Sequence, residues 1–205
     1  MLVSLAQFTI GFIHTTGYLG IFILMTLESM LVPIPSEVTM PFSGFLVSQG
    51  ILNFWLVVLA GTLANLVGSV IAYYIGYFLE ETLLLGLIQK YGKFILVTIK
   101  DYNDASKWFT KYGDKVIFVS RLLPAVRTVI SLPAGVFRMD MKKFLSYTFA
   151  GSLLWSIVLT YIGLKLGDNW KTLGSYFHKF DLAVGILFIL AILWYLNHKL
   201  HFFRK

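Results

Sequence analysis

Long apolar runs alternate with short polar segments along this chain, and the runs predict where its helices lie. A helix that crosses a bilayer needs about 20 predominantly apolar residues. Four runs meet or approach that length: Tyr18–Val32, Asn53–Leu79, Phe144–Leu166 and Leu182–Leu196. Along the second run small residues recur every three or four positions, a spacing typical of closely packed membrane helices. The pattern predicts an all-α polytopic membrane protein with four spanning helices.

Shorter segments lie between and before these runs. An uncharged helical stretch, Leu2–Ile13, precedes the first run, and His14–Gly17 separates the two. The longest polar region is Glu80–Gly113. Within it, Asp101–Tyr112 has an apolar side of aromatic residues and predicts a short amphipathic surface helix. Gly113 follows directly and is expected to end that helix.

Two further segments are apolar but contain prolines that interrupt a helix. Pro33–Gly50 holds three prolines, a glutamate and two glycines, and 115–139 holds the other two prolines of the chain. Both are too hydrophobic for aqueous loops. Broken backbone at membrane depth is tolerated only where protein or a polar cavity surrounds it. The sequence therefore predicts two re-entrant helical hairpins.

The two hairpins have the same layout. Pro33 and Gly44 are eleven positions apart, as are Pro124 and Gly135, and an aromatic-led spanning run follows each pair. With four crossings the hairpins enter from opposite faces, which is an inverted-topology repeat, an architecture typical of secondary transporters. We expect one domain over 1–205: a first repeat at 18–79 with hairpin 33–50, an amphipathic cytoplasmic linker at 80–114, a second repeat at 115–167 with hairpin 115–139, and a C-terminal helix at 182–203.

Composition supports a membrane protein and excludes several other classes. The chain of 205 residues is 58% hydrophobic and 13% charged, with a mean hydropathy of +0.78. A soluble domain of this size could not cover so much apolar surface. The absence of cysteine excludes disulfide and thiol chemistry. No cleaved signal is evident at the N-terminus, and no cluster of metal-ligating residues stands out, so we expect no metal, no cofactor and no catalytic residue.

The positive charges predict orientation rather than nucleic-acid binding, because they form no basic stripe with interleaved aromatic residues. With four crossings, both termini lie on the same side as 80–115 and 138–143. That side holds twelve of the fifteen lysines and arginines outside the apolar segments, against three on the other side. Positive residues are enriched on the cytoplasmic side. Both termini are therefore predicted to be cytoplasmic.

The second hairpin contains two arginines at membrane depth, Arg121 and Arg127. A guanidinium there costs roughly 2.5–3.5 kcal/mol on insertion scales, so a pair requires an explanation. Pro124 has no amide hydrogen and pushes Leu123 away from helical geometry, so the helix should break between the arginines. The break would let both guanidiniums face one point. Two convergent guanidiniums form a site for a phosphate or carboxylate.

Two acids accompany the arginines. Glu28 and Glu37 are nine positions apart on either side of the first proline pair, so they too can converge. The residues fit either two structural ion pairs, since buried charges must be paired, or an anion site with titrating carboxylates. Ser36, Asn65, Pro124 and Thr128 are candidate supporting residues, although a helix–helix hydrogen bond is the simpler interpretation of Asn65. The tryptophans expected at the interface or facing lipid are Trp55, Trp155, Trp170 and Trp194.

These residues also resemble a known family. The matching motifs are Glu28 with Pro33-x-Pro35-Ser36-Glu37, Gly113-Asp114 before Phe118-x-x-Arg121-x-x-Pro124-x-x-Arg127-Thr128, Ala134-Gly135, Met139, Phe144, Gly151-x-x-x-Trp155 and Gly163-x-x-x-Gly167. They are similar to those of the DedA family, also described as the SNARE-associated Golgi or VTT domain, over about residues 15–170. This chain has Ala64-Asn65 where many members have Gly-Asp.

The resemblance implies two facing re-entrant hairpins and lipid translocation in the bacterial cytoplasmic membrane. Bacterial members are linked to recycling of undecaprenyl phosphate, the lipid carrier of cell-wall precursors, or to movement of phosphatidylethanolamine, with proton motive force involved. The functional acidic and basic residues of the family correspond here to Glu28, Glu37, Arg121 and Arg127.

The resulting hypothesis is a proton-coupled flippase that returns undecaprenyl phosphate from the outer to the cytoplasmic leaflet. Its partners would be lipid headgroups, membrane lipids and protons; a monomer and a homo-oligomer are both compatible with the sequence. The alternatives are a phosphatidylethanolamine or phospholipid flippase or scramblase of the same fold, and a proton-coupled ion or drug exchanger. A lipid phosphatase is disfavoured, because neither hairpin contains a histidine.

Overall fold

Every regular element in the described part of the chain is a helix. The computed structural model describes residues 2–32, 34, 36–79, 86 and 99–170. Over these residues the helices are α1 (Leu2–Thr16), α2 (Tyr18–Ser29), α3 (Ser36–Ser48), α4 (Phe54–Leu79), α5 (Ile99–Ser120), α6 (Pro124–Arg127), α7 (Ser131–Val136) and α8 (Met141–Leu166), with a 3-10 turn at Gly167–Trp170. The predicted all-α class is confirmed for this part.

The two long helices α4 and α8 match the second and third predicted spans. Each has 26 residues, with mean hydropathies of 2.0 and 1.5 over their most apolar stretches. At 1.5 Å per residue each is about 39 Å long, enough to cross the hydrocarbon core. The helix α8 begins three residues earlier than predicted, because the side chain of Asp140 accepts a hydrogen bond from the N–H of Lys143 at 3.0 Å and caps its first turn.

The long helices place polar side chains inward and aliphatic ones outward. On α4 the residues Thr62, Asn65 and Ser69 are buried, whereas Leu63, Val67 and Ile71 are exposed. The same reversal occurs on α8, where Ser152, Ser156 and Thr160 are buried and Leu154 and Val158 are exposed. A contiguous exposed apolar surface of this kind favours surroundings of lipid rather than water. The reversal supports a membrane location independently of composition.

Four full spans are not confirmed. The first predicted span, Tyr18–Val32, ends early at Ser29, where Leu31 adopts a positive φ of 73° and turns the chain. Its 12 residues measure about 18 Å, short of a core about 30 Å thick. The predicted fourth span Leu182–Leu196, the C-terminal helix, Pro33, Pro35 and most of the 80–98 linker lie outside the described residues.

The predicted surface helix Asp101–Tyr112 is wrong at its C-terminal end. The helix α5 continues through Gly113 to Ser120. Phe109 and Ile117, on either side of the glycine, are both buried in a cluster with Tyr73 and Phe144. Burial of these apolar side chains stabilises the helix across Gly113, whose cost in a helix interior is only about 1 kcal/mol.

The predicted break between the arginines is confirmed. The helix α5 ends at Ser120, and α6 begins with Pro124 as its first residue. Leu123 is extended, with φ −110° and ψ 116°, as the clash with a following proline ring requires. In the first hairpin, by contrast, Pro41 lies inside the helix α3 without ending it.

The two halves of the chain exchange their short helices. The helix α3 packs on α8, and α7 packs on α4. Glycine permits both crossings: a Cβ at Gly44 would collide with the carbonyl oxygen of Thr160, and a Cβ at Gly135 would collide with that of Tyr73. Gly44 and Gly135 are the two glycines whose equal distance from a proline predicted the repeat. Both residues thus serve the same packing purpose.

Candidate functional site

Glu28 and Arg127 form a buried ion pair that joins three helices. Arg127 Nη2 donates to Glu28 Oε1, and each residue is only 4% exposed. The same carboxylate oxygen accepts the backbone N–H of Ser36, the first residue of α3, at 3.2 Å. A carboxylate is favourable at a helix N-terminus. The pair therefore holds α2, α3 and α6 at one point.

Arg121 occupies the break between α5 and α6 and bonds to neutral acceptors. Its Nη1 donates to Ser69 Oγ at 2.9 Å and to the carbonyl oxygen of Arg127 at 3.0 Å. Its Nη2 donates to Ser131 Oγ at 2.8 Å and to Thr148 Oγ1 at 3.3 Å. These partners come from α4, α6, α7 and α8, so the guanidinium fixes the joint where those helices meet.

The helix α8 leaves room for this side chain. A Cβ at Gly151 would lie 2.5 Å from the Cβ of Arg121, closer than such atoms approach. Gly151 belongs to the Gly151-x-x-x-Trp155 motif of the sequence. Glycine is required at this position because the side chain of Arg121 packs directly against α8.

The two arginines belong to one buried cluster but have separate partners. Arg121 bonds to the backbone of Arg127, and their charges are close enough to repel. The guanidinium of Arg127 nevertheless bonds to Glu28, and that of Arg121 to hydroxyl groups. The arginines thus lie in one cluster, while the convergence of both guanidiniums on a shared anion remains a prediction.

Positive charge exceeds negative charge in the buried part of this cluster. Arg121, Arg127 and Glu28 are all at most 4% exposed. Glu37 is half-buried, lies within Coulomb range of Glu28, and forms no ion pair with any described residue. Among the described residues, the cluster therefore contains two buried guanidiniums and one fully buried carboxylate, with a second acid at its edge.

The candidate supporting residues occupy less central positions. Asn65 Oδ1 accepts a hydrogen bond from Ser29 Oγ at 2.6 Å, the helix–helix bond that the sequence favoured. Thr128 is half-buried at the C-terminal end of α6. The hydroxyl of Ser36 has no hydrogen-bond partner among the described residues, although it is buried. Within the described ranges, no three His, Cys, Asp or Glu side chains could together hold a metal ion.

The expectation for Trp155 is wrong, because the residue belongs to the site and not to a lipid-facing surface. Its side chain is buried, and the guanidinium carbon of Arg127 lies 5.4 Å from the centre of its ring. That distance is typical of a cation–π interaction. Sequence reasoning also missed three hydroxyl partners of Arg121, namely Ser69, Ser131 and Thr148. Their only signal is that they are polar residues in apolar helices.

The chain was compared with known proteins. The VTT domain family model matches residues 34–165. An alkaline phosphatase-like protein of Lactococcus lactis is 38% identical over 92% of this chain and 90% of its own length. Undecaprenyl phosphate transporter A of Staphylococcus aureus is 32% identical over 92% of this chain and 93% of its own.

Protein DedA of Escherichia coli is 31% identical over 60% of this chain and 56% of its own length. No solved structure matches the chain significantly. The family model covers more than half of the sequence, and the matched region includes Glu37, both arginines and Trp155. The chain therefore belongs to the VTT domain, or DedA, family of membrane proteins.

Proposed function

We propose that this protein is a membrane transporter of a lipid phosphate, and that its cargo is undecaprenyl phosphate. The observation behind the proposal is the excess of buried positive charge, two guanidiniums against one fully buried carboxylate. A buried charge is stable only when it is paired or neutralised. A phosphate monoester, with about −1.5 to −2 charges at neutral pH, would supply the missing negative charge.

Arg127 would bind the phosphate by exchanging partners. Its edge now bonds to Glu28, and the same donors fit a phosphate oxygen through forked hydrogen bonds. Arg121 would add its positive charge and release its hydroxyl partners to bind the phosphate. These partners are neutral, so they compete with the phosphate for the guanidinium less strongly than a carboxylate would. The polyprenyl tail would stay in lipid, so the protein need only enclose the headgroup.

Glu28 would couple the exchange to a proton. On leaving Arg127, a buried carboxylate has no compensating charge and is stabilised by protonation. Glu37, within Coulomb range of Glu28, would be the second acid to bind or release a proton. Uptake from the outer leaflet and release to the cytoplasmic leaflet would follow from rocking of the two hairpins about this site.

Two observations favour undecaprenyl phosphate over other cargoes. The transporter of Staphylococcus aureus named for that lipid aligns over nearly the whole of both chains. In addition, a monoester offers more charge and more open oxygens than the phosphodiester of phosphatidylethanolamine. An amine-bearing headgroup would depend more on Glu37 than on the arginine excess.

Reconstituted vesicles test the proposal. Purified chain in liposomes is expected to move undecaprenyl phosphate between leaflets faster than phosphatidylethanolamine. Arg127→Ala should slow movement about 10–100-fold, since a hydrogen bond to a charged group contributes about 1.5–3 kcal/mol. Arg127→Lys, which keeps the charge but loses the fork, should be intermediate. Lys142→Ala, which removes an exposed charge at the start of α8, is the matched control and should move the lipid normally.

Equal movement of both lipids would replace the cargo assignment with general phospholipid transport. Normal movement by a folded Arg127→Ala variant would overturn the site assignment. The name of the Lactococcus relative raises hydrolysis as a second candidate, and the same vesicles decide it. Release of inorganic phosphate from undecaprenyl phosphate would identify a phosphatase, whereas a transporter leaves the ester intact.

Trp155 should hold Arg127 in place during the exchange. The guanidinium carbon lies over the ring of Trp155 while Nη2 bonds to Glu28, so Arg127 makes both contacts at once. Trp155→Leu should lower the rate of lipid movement about tenfold, in line with a desolvated cation–π contact of about 2 kcal/mol or somewhat less. Trp155→Phe should restore most of the rate. Equal loss in both variants would indicate a packing role alone.

A further inference from the structure

We propose that a file of water molecules lies along one face of α8, where that helix packs against α3 and α4. Four buried hydroxyl groups follow this face at every fourth position: Thr148, Ser152, Ser156 and Thr160. None is more than 2% exposed. Residues four apart lie on one side of a helix, and the row extends about 18 Å.

Two of these hydroxyls lack a hydrogen-bond partner among the residues that the structure describes, unlike the equally buried hydroxyls of Ser43 and Thr62. Ser43 donates to the carbonyl oxygen of Thr39 and Thr62 to that of Val58, both at 2.7 Å, the usual solution inside a helix. Ser156 Oγ and Thr160 Oγ1 have no partner anywhere in the described part of the chain. Buried polar groups in native proteins are satisfied almost without exception, commonly by ordered water.

The surroundings of Ser156 place this unsatisfied surface between three helices. A Cβ at Gly61 of α4 would lie 3.2 Å from Ser156 Oγ and 2.8 Å from the sulfur of Met40 in α3. The space beside the glycine is filled by the end of the Met40 side chain, which is flexible and can move to admit water. Water there would find the hydroxyl of Ser156 on one wall and flexible Met40 on another.

The row leads to the buried ion pair. Trp155, adjacent to Ser156, lies against Arg127. The partner of Arg127 is Glu28, whose second oxygen, Oε2, also lacks a hydrogen-bond partner within the described residues, as does the hydroxyl of neighbouring Ser36. Unsatisfied atoms thus occur on α2, α3 and α8, and each of these helices contacts the ion pair. The file would bring water, and with it protons, from the Thr160 end of α8 to Glu28.

This inference does not rest on the transport proposal, because hydration of the row is independent of cargo. The natural chain has no cysteine, so single-cysteine variants can be labelled without background. Ser156→Cys and Thr160→Cys replace the two unsatisfied hydroxyls. Leu159→Cys is the matched control, since Leu159 is equally buried, 1% exposed, and lies between them in the apolar cluster.

The full-length variants in lipid vesicles are exposed to 2-aminoethyl methanethiosulfonate, and the added mass is followed by intact-protein mass spectrometry. Only the thiolate reacts, and it forms where water reaches the sulfur, so Ser156→Cys and Thr160→Cys should react at least about tenfold faster than Leu159→Cys. Blocked reaction in all three variants would overturn the proposal and indicate dry hydroxyls bonded within their own helix. Equal reaction in all three would overturn it too, by indicating general opening of the fold.

A second substitution protects the test against a folding defect in α8. Ser36→Cys samples the same level from α3, where the native hydroxyl is also buried and unpartnered. Each variant is first checked for a single species by gel filtration and for its unfolding temperature. If the α8 variants do not fold, Ser36→Cys is compared with Val57→Cys, a buried apolar position of α4. Ser36→Cys should then react at least about tenfold faster than Val57→Cys, and equal rates would overturn the proposal.

Discussion

Replacing Glu28 by alanine is expected to destabilise the folded chain by about 3–5 kcal/mol, the cost of leaving one partner of a buried ion pair uncompensated. The substitution removes the acceptor of Arg127 and of the Ser36 amide together. Both side chains are almost fully buried, so the substitution would leave the guanidinium of Arg127 without a compensating charge. Unfolding of the purified protein in detergent, followed by circular dichroism against denaturant, measures the difference.

A double-mutant cycle separates the ion pair from other effects of the substitution. Glu28→Ala combined with Arg127→Met removes both charges, and this variant should be more stable than Glu28→Ala alone, because no unpaired charge remains. Asp114→Ala, which removes one partner of the exposed 3.1 Å pair with Lys143, should cost far less than Glu28→Ala, because exposed ion pairs contribute little to stability. A Glu28→Ala cost as small as that of Asp114→Ala would contradict this expectation.

The break in the arginine segment could be predicted because its cause is local. Pro124 lacks an amide hydrogen and restricts Leu123, so no tertiary contact is needed to end α5 at Ser120. The same reasoning identified the charged residues of the site, since a charge in an apolar segment is conspicuous by itself. Proline breaks and charged residues in apolar segments can therefore be identified from the sequence without knowledge of the surrounding fold.

The pairing within the site could not be predicted, because it depends on how distant helices pack. Glu28 and Arg127 are 99 positions apart, and the sequence allowed either acid to pair with either arginine. Ser69 and Thr148, which bond to Arg121, belong to different long helices. Hydroxyl residues are common in membrane helices, so their identity alone does not distinguish an arginine partner from a simple helix contact.

Predictions from single residues were wrong where the burial of side chains determined the structure instead. Gly113 suggested the end of a helix, but the burial of Phe109 and Ile117 on either side keeps α5 continuous. Trp155 suggested an interfacial side chain, the usual place of tryptophan in membrane proteins. Its burial against Arg127 follows instead from its position on the inward face of α8, and that face becomes known only once the helices are packed.

The repeat was predicted from a spacing whose structural role appears only once the helices are packed. Eleven positions separate proline from glycine in both hairpins. The glycines prove to be the points at which α3 crosses α8 and α7 crosses α4. The opposing helices also contribute glycine, since a Cβ at Gly163 or at Gly76 would collide with a backbone carbonyl of α3 or α7. Each crossing is therefore built from glycine on both sides.

Gly135→Ala is expected to destabilise the chain by about 3 kcal/mol, the upper end of the usual cost of overpacking. The added methyl group would collide with the carbonyl oxygen of Tyr73 and approach the amide nitrogen of Tyr77. Both are backbone atoms inside α4, so neither can rotate away, and the whole helix would have to shift. Denaturant unfolding followed by circular dichroism, and the yield of monodisperse protein, measure the effect.

Gly11→Ala, the same chemical change at another position, is expected to stabilise the chain instead. Gly11 lies inside the helix α1, and nothing stands within 4 Å of its missing Cβ, so alanine should stabilise that helix by about 0.5–1 kcal/mol. Gly44→Ala at the other crossing should instead repeat the loss seen at Gly135, because its methyl group would meet the backbone of Thr160 and Leu164. A loss at Gly135 without one at Gly44 would mean that only α7 on α4 is a rigid contact, and that the two halves do not share one packing scheme.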